Sequence, residues 1–300
     1  MQNAVTPIEI SKDQPSFVMT PLIEDIIDRA LTYSAAGFPI NFTGPAGTGK
    51  TCLAMYVAGH IGRPVVIIHG DEELGTADFV GGNYGFRRRK TVDAFIHSVK
   101  KTDEDMQARW VDNRLTVACK YGYTLIYDEF TRSRPEANNA LLSVLEEKTL
   151  DMPAGRGSES FIRADPRFTA IFTSNPAEYA GVHKAQDALK DRMINIKLGH
   201  YDRESEVAVA MAKSGAAQGD VEKIVDMVRA YRADCNGNGH APSVRASIMI
   251  ARILKAYDSR ADAADEGFVR TCVDVLDSPG PNGDGATEEK VATLIKQFAG

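Results

Sequence analysis

The feature that most constrains the fold of this chain is a glycine-rich segment, residues 44–51, which lies between two regular patterns. Residues 39–43 before it are typical of a strand, and residues 52–61 after it have the apolar spacing of a helix. A strand, a glycine loop that ends in Gly-Lys-Thr and a helix form the arrangement in which backbone N–H groups bind phosphate. Glycines leave room for a polyphosphate, and the N-terminus of the helix is electropositive. An α/β fold with a parallel sheet is therefore expected.

The predicted phosphate site is made of the loop and the first residue after it: Gly44, Pro45, Ala46, Gly47, Thr48, Gly49, Lys50, Thr51 and Cys52. We expect Lys50 to contact the terminal phosphates and the Thr51 hydroxyl to ligate Mg²⁺. ATP and Mg²⁺ are the ligands that this arrangement indicates. A glycine turn with a chance Gly-Lys-Thr sequence is the alternative, and the flanking strand and helix disfavour it.

Two further apolar runs end in polar residues that suit phosphate chemistry. The first, residues 124–129, ends in Asp128 and Glu129. In an enzyme with a phosphate-binding loop, such an Asp holds Mg²⁺ and such a Glu activates the attacking water; two exposed acids are the alternative. The second run, residues 168–172, is followed by Asn175, which is expected to hydrogen-bond the γ-phosphate or the water because ligands bind at the carboxyl ends of parallel strands. An Asx turn is the alternative there.

Composition excludes several functional classes. The net charge is −6, so neither nucleic-acid binding nor an anionic membrane surface is expected. We find no apolar run near the ~18–20 residues of a membrane span, and expect no membrane insertion. The four cysteines form no CxxC pair, which disfavours disulfide or metal frameworks and favours a reducing cytoplasm.

The pattern predicts four regions: a flexible arm at 1–18, an α/β nucleotide-binding domain at 19–199, a helical lid at 200–277, and a mobile link with a terminal helix at 278–300. Helices are predicted in the last two regions at 202–214, 220–233, 242–257, 264–277 and 287–298. Within the α/β domain, the glycine-rich, basic residues 81–90 are interpreted as a solvated hairpin or substrate loop rather than a nucleic-acid loop. Residues 91–120 are predicted as helices, with one face formed by Trp110, Val111, Leu115 and Ala118.

Taken together, these motifs resemble those of AAA+ ATPases, specifically the MoxR-like branch with a helical insert between the second and third strands. Within that branch the chain resembles the gas-vesicle protein N family. The narrower resemblance is carried by residues 79–86, 109–119 and 128–142, and the whole covers about residues 20–260. It implies an AAA+ P-loop core with a parallel sheet and a helical insert, followed by a small C-terminal helical lid domain.

The resemblance also implies roles for individual residues. Asp128 corresponds to the magnesium-associated acid and Glu129 to the water-activating base. Asn175 corresponds to the first sensor, Arg192 to the finger that reaches a neighbouring subunit, and Arg245 to the second sensor on the helical lid.

Three other residues are assigned with alternatives. Arg132 and Arg134 are expected at the subunit edge, where they could also serve as arginine fingers in addition to Arg192. A surface salt bridge is the commoner role of an arginine. His69 ends the second strand, where related ATPases have a polar residue that restrains the catalytic Glu; a structural histidine is the alternative.

The expected function is an ATP-driven, ring-forming remodeller, hexameric as in the family, that assists assembly or enlargement of a gas-vesicle shell. Its expected partners are copies of itself and gas-vesicle shell or accessory proteins, in the cytoplasm and associated with gas vesicles. One alternative is a MoxR-type activase for a metalloenzyme or carboxylase. Another is a scaffold that binds nucleotide without hydrolysis, which Glu129, Asn175 and Arg192 together disfavour.

Overall fold

The computed structural model describes residues 5–14, 17–96, 99–153, 160–176, 187–235, 241–276 and 286–300, and only the backbone of 83–96, 99–109, 187 and 286–287. The chain divides into two compact units. The first unit contains Met1–Lys12, Ala30–Thr43 and Thr51–Ile196, and the second contains Asp13–Arg29, Gly44–Lys50 and Lys197–Gly300.

In chain order the elements are α1 (Pro21–Ala35), β1 (Ile40–Thr43), α2 (Lys50–Ile61), β2 (Val65–His69), α3 (Thr76–Val80), β3 (Gly81–Ile96), β4 (Val99–Asp112), α4 (Arg114–Tyr121), β5 (Thr124–Asp128), a 3₁₀ turn (Phe130–Arg132), α5 (Pro135–Glu146), β6 (Thr149–Asp151), β7 (Phe161–Arg163), β8 (Thr169–Ser174), α6 (Asp187–Lys190), β9 (Ile194–Lys197), α7 (Arg203–Ser214), α8 (Gln218–Asp234), α9 (Val244–Ala256), α10 (Glu266–Leu276) and α11 (Ala286–Ala299). Many boundaries follow local signals. Pro21 opens α1 and Pro135 opens α5, since proline is suited to the first helical position.

The sheet of the first unit has five strands in the order β2-β5-β8-β1-β9. Strands β2, β5, β8 and β1 pair in parallel, with His69 beside Asp128 and Thr43 beside Ser174 at their ends. The carboxyl ends of neighbouring strands therefore meet at one edge of the sheet. This arrangement confirms the predicted α/β fold with a parallel sheet.

Apolar side chains fill both sides of the sheet. Every residue of β5 is buried, and Tyr127, Phe130 and Phe172 are fully buried in the core beneath the strand ends. The three rings contact one another with centroids 5.4–6.0 Å apart. Burial of a large apolar side chain contributes about 1.5–3 kcal/mol, and an aromatic pair adds about 0.5–1.5 kcal/mol. The carboxyl end of β5 is thus fixed on a rigid aromatic base.

The second unit contains the helical block α7–α11, as predicted. Its core joins residues of all five helices, including Val291, Ile295 and Ala299 of α11. The terminal helix therefore packs with the rest of the block rather than apart from it. The predicted mobile link, residues 278–286, lies outside the described residues except for Ala286, where α11 begins.

The prediction of helices across residues 91–120 is wrong for most of that range. Strands β3 and β4 form a two-stranded antiparallel hairpin, and only α4 is helical. The register places oppositely charged residues across from each other at Arg89–Asp105, Lys90–Glu104 and Asp93–Lys101. Because the pairs are 8 to 16 residues apart in sequence, a search for helical spacing does not detect them.

The hairpin also changes two finer expectations. Trp110 and Val111 lie on β4, whereas Leu115 and Ala118 lie buried on α4, so the four residues do not share one helix face. The segment 81–90, interpreted as a hairpin or substrate loop, is one strand of the β3–β4 hairpin rather than a whole hairpin, so the hairpin interpretation is confirmed in part.

The region predicted as a flexible N-terminal arm makes a specific contact with β2. Ile8 exchanges two backbone hydrogen bonds of 2.8 Å with Val65, as an isolated antiparallel bridge.

In the part of the chain that is described, we find no helix that combines the length and the apolarity needed to cross a membrane.

Candidate active site

The glycine loop, residues 44–51, connects the end of β1 to the start of α2 and depends on glycine for its backbone conformation. Gly47 and Gly49 have φ values of 79° and 80°, in the left-handed region that glycine adopts readily. Helix α2 begins at Lys50, so its first N–H groups lack helical partners and face the loop side. The predicted strand–loop–helix arrangement is confirmed.

Neighbouring side chains also leave no space for a Cβ atom at Gly47 or Gly49. A Cβ at Gly47 would lie 2.0 Å from the Ser243 hydroxyl oxygen, and one at Gly49 would lie 2.9 Å from the Tyr201 hydroxyl oxygen. Tyr201 also donates a 2.8 Å hydrogen bond to the Thr48 carbonyl. All of these residues belong to the second unit. In sequence, phosphate binding is the one apparent reason for these glycines, and no local signal points to Tyr201 or Ser243.

Lys50 is 8% exposed, and its ammonium group donates to the carbonyls of Gly44 and Pro45 at 2.8 and 2.7 Å. These bonds hold the lysine head group within the loop, where a phosphate would be bound. Thr48 is buried, whereas Pro45 and Ala46 are exposed. Cys52, included in the predicted phosphate site, is exposed on the first turn of α2 as a free thiol.

A chain of hydrogen bonds joins the start of α2 to the ends of β5 and β8. The Thr51 hydroxyl donates to Asp128 Oδ1 at 2.8 Å, and the Thr173 hydroxyl donates to the same oxygen at 2.6 Å. Thr173 in turn accepts a 2.8 Å hydrogen bond from the backbone N–H of Glu129. One threonine therefore fixes both acids. This role was not predicted, although Thr173 lies between the apolar run 168–172 and Asn175.

Glu129 has an unusual backbone conformation for a residue with a side chain. Its φ and ψ are 53° and 40°, in the left-handed region. Such a conformation costs about 1–3 kcal/mol and persists where the surroundings hold it. Thr173 holds the N–H of Glu129, and a Cβ at Gly70 would lie only 2.0 Å from its carbonyl oxygen. The absence of a side chain at Gly70 therefore leaves room for the backbone of Glu129.

The partners of Glu129 and His69 differ from the expectation. Arg132 donates to Glu129 Oε2 at 2.8 Å, so the proposed base is paired within its own chain. His69 lies 3.6 Å from Asp128 Oδ2 through Nδ1 and is 73% exposed. The described contacts thus pair His69 with Asp128, and Arg132 rather than His69 contacts Glu129.

The other predicted site residues lie at separate positions. Asn175 is buried directly after β8, at the edge of the sheet where β5 also ends. Arg245 is exposed in the first turn of α9, with its Cδ 3.4 Å from where a Gly47 Cβ would be. Arg134 is exposed just before α5. Arg192 is held by the Glu146 carboxylate, through Nε at 2.8 Å, and by the Ala188 carbonyl at 2.6 Å.

Comparisons with known proteins identify the family. A family model described as AAA domain (dynein-related subfamily) matches residues 39–193. The chain is 49% identical to the gas vesicle ATPase GvpN of Ancylobacter aquaticus over 276 residues, which cover 92% of this chain and 76% of that protein. The chain belongs to the GvpN family of gas vesicle ATPases. It is also 42% identical over 266 residues to the gas vesicle ATPase GvpN2 of Halobacterium salinarum, covering 89% of this chain and 76% of that protein.

Solved structures agree with this assignment at the level of the fold. The Thermotoga maritima RuvB Holliday junction branch migration motor aligns with a TM-score of 0.51 at 14% identity, covering 89% of this chain and 73% of that chain. The AAA fold predicted from the resemblance, with its parallel sheet and C-terminal helical region, is confirmed, as is membership of an ATPase family.

The donors at the junction of α2 and β5 fit a magnesium ion. Mg²⁺ prefers oxygen ligands and is held in nucleotide enzymes by one or two protein oxygens together with substrate phosphates. The Thr51 hydroxyl and the Asp128 carboxylate supply such oxygens 2.8 Å apart. Among the described residues, no three or more His, Cys, Asp or Glu side chains lie close enough together to hold a metal ion by themselves.

Proposed function

We propose that this GvpN-family chain binds ATP with Mg²⁺ at the glycine loop, hydrolyses it, and uses the cycle to assist assembly or enlargement of a gas-vesicle shell. The observation that carries the proposal is the hydrogen-bonded series from Thr51 through Asp128 and Thr173 to Glu129. It joins the predicted metal ligands to the predicted base, an arrangement that binding alone would not require.

Each residue has a defined task in this proposal. Lys50 contacts the terminal phosphates, and Thr51 and Asp128 hold the metal ion, which neutralises phosphate charge when bound. Glu129 accepts the proton of the attacking water once it exchanges its contact with Arg132 for that water. Asn175 hydrogen-bonds the γ-phosphate or the same water.

Two arginines complete the proposed machinery. Arg245 lies against Gly47 of the glycine loop, which supports its role as the second sensor. Arg192 is partly exposed and held by Glu146 at the end of α5. In a ring it would exchange this carboxylate for the γ-phosphate bound by a neighbouring subunit. Head-to-tail contacts that place it so repeat around an axis and close into a ring, for which we propose a hexamer.

The family supports the gas-vesicle role over the alternatives. The relatives compared above are named gas vesicle ATPases at 42–49% identity, so we propose gas-vesicle shell or accessory proteins as clients and gas vesicles as the site of action. A tagged chain should therefore capture these proteins from gas-vesicle-forming cells. Capture of metalloenzyme or carboxylase subunits would instead favour an activase, and binding of ATP with negligible turnover would favour a scaffold.

Replacement of the loop lysine tests ATP binding. We expect Lys50→Ala to weaken ATP binding by ~10–150-fold, because a hydrogen bond to a charged group contributes about 1.5–3 kcal/mol. Titration with a fluorescent ATP analogue in the presence of Mg²⁺ measures the loss. In gas-vesicle-forming cells that lack their own copy, the same variant should not restore vesicles.

A matched control is Lys213→Ala, which removes a lysine from the exposed last turn of α7. It should bind ATP as the unmodified chain does and restore vesicles. Equal ATP affinity of the Lys50 variant and this control would contradict the proposed loop.

The hairpin offers a candidate client-binding element. Tyr84 lies in β3 where the register with β4 shifts between Asn83 and Phe86, and the basic residues 87–90 follow. We propose that Tyr84 and Phe86 contact the client, because aromatic side chains offer a large contact area at low entropic cost. Changing both to Ser should leave basal ATPase activity and thermal stability unchanged and reduce vesicle formation. A marked fall in melting temperature would instead identify them as core residues.

A further inference from the structure

The helical block contains a fully buried carboxylate that no role assigned above explains. Glu206, in the first turns of α7, is 0% exposed. Arg232 of α8 donates to both of its oxygens, at 2.6 and 3.3 Å, and Arg229 lies 3.7 Å from the second oxygen. Arg232 is itself only 10% exposed. A buried charge is retained where it is paired, and here one carboxylate serves two guanidinium groups.

The two arginines also hold backbone segments outside their own helix. Arg229 donates through Nη1 to the Tyr201 carbonyl at 2.9 Å. Arg232 donates through Nε to the Pro242 carbonyl at 2.6 Å. Because a guanidinium group is planar and its donors have fixed directions, the position of each carbonyl depends on the position of Glu206.

Both of these segments contact the glycine loop. Tyr201 donates its hydroxyl to the Thr48 carbonyl at 2.8 Å. Ser243, the residue after Pro242, caps α9 and lies directly against Gly47. A continuous series of contacts therefore runs from Glu206 to two points of the loop, entirely within the second unit.

Nearby titratable groups do not disturb this charge arrangement near neutral pH. Burial lowers the pKa of His200, and the positive charge of Arg232 lowers it further. This shift favours the neutral form of His200 near pH 7, and in the described contacts the charged groups paired with Glu206 are those of Arg229 and Arg232.

We propose that Glu206, with Arg229 and Arg232, positions Tyr201 and Ser243 against the glycine loop and thereby sets the affinity of the loop for nucleotide. The inference rests on the proposed binding of ATP at this loop. Glu206 acts through other residues and is a positioning residue. Buried ion pairs add little net stability compared with apolar packing, and in some proteins they specify geometry instead. In this proposal Glu206 has that second role.

The test compares Glu206→Gln with a buried ion pair elsewhere in the same block. Gln keeps the size of the side chain and removes the charge that orients the guanidinium groups. We expect the Kd for ATP to rise about tenfold, as when one hydrogen bond that orders the loop is weakened, with a smaller change in kcat. In the nucleotide-free chain, amide hydrogen exchange across residues 44–51 should become faster.

Asp220→Asn is the matched control. Asp220 is also buried, pairs with Arg260 at 3.0 Å and accepts the Ala261 N–H, but these contacts hold the segment after α9. It should lower thermal stability and leave the Kd for ATP and loop exchange unchanged. If Glu206→Gln also changed only thermal stability, the proposed positioning would be overturned.

Milder variants cover the case in which Glu206→Gln does not fold. Arg229→Gln keeps the Glu206–Arg232 pair and removes the hydrogen bond to the Tyr201 carbonyl together with the 3.7 Å approach of Arg229 to Glu206. It should raise the Kd for ATP and speed loop exchange. Tyr201→Phe should raise the Kd as well, and its effect should be smaller in the Arg229→Gln background, since residues of one network are not additive. Additive effects would contradict the series of contacts.

Loop exchange separates the two proposals. If the unmodified chain failed to bind ATP, the proposed function would be wrong and the nucleotide part of this inference with it. If it bound ATP, and Arg229→Gln and Glu206→Gln left both loop exchange and affinity unchanged, only the inference would be wrong.

Discussion

Glu129→Gln is expected to lower ATP turnover by ~10²–10⁴-fold while ATP remains bound, because it removes the proposed general base and keeps the shape of the side chain. The surroundings of Glu129 support an unchanged local structure. Its backbone is held by Thr173 and packed against Gly70, and neither contact involves the carboxylate. Single-turnover hydrolysis and nucleotide titration, measured on the same preparation, separate the loss of chemistry from any loss of binding.

The control for this variant is Glu289→Gln, which removes a carboxylate from the exposed first turn of α11. Its turnover should match that of the unmodified chain. If Glu129→Gln also kept near-normal turnover, another group would have to act as the base. Lost nucleotide binding in Glu129→Gln would indicate instead that the residue holds the loop region together.

Arg192→Ala is expected to lower turnover by up to ~10³–10⁵-fold with little loss of ATP affinity, the effect of removing an arginine finger. The guanidinium group stabilises charge as the phosphoryl bond breaks, and a finger acts on nucleotide bound by a neighbouring subunit. Within one chain, Arg192 contacts Glu146. Because the finger is proposed to act on the nucleotide of a neighbouring subunit, an isolated subunit should bind ATP but hydrolyse it slowly. Turnover should therefore rise with protein concentration as rings form.

Arg167→Ala is the control, because Arg167 is an exposed arginine that is likewise held by a carboxylate of the first unit, Asp165. It should not change turnover. The decisive measurement mixes inactive Arg192→Ala with inactive Glu129→Gln subunits. Some interfaces of a mixed ring then pair an intact base with an intact finger, and partial activity should return. Mixed rings without restored activity would exclude a finger that acts between subunits.

The elements that the sequence predicted well are those with signals in a short stretch of chain. The glycine loop, the apolar strands that end in acids, and the five C-terminal helices each depend on residues within one element. A continuous apolar strand such as β5 is predictable because both of its faces are buried. The helical block is predictable because its helices have a regular apolar face.

The hairpin formed by β3 and β4 was not predictable in the same way. Its register pairs residues that are distant in sequence, such as Arg89 with Asp105, and these become neighbours only once the two strands are aligned. Along the chain, the same charged residues are equally compatible with a solvated helix. The aromatic and apolar residues that suggested a helix face are in fact divided between β4 and α4.

By itself, the sequence located the glycine loop that we propose binds phosphate, the acids at the end of β5 and the AAA class of the fold, because each depends on residue types at fixed local spacing. Only the tertiary structure decided which groups contact these residues. It paired Arg132 with Glu129, gave Thr173 the hydrogen bonds to both acids, and brought Tyr201 to the loop. Thr173 and Tyr201 are separated from their partners by dozens of residues. Their contacts follow from the packing of strands and helices and have no signature in the local sequence.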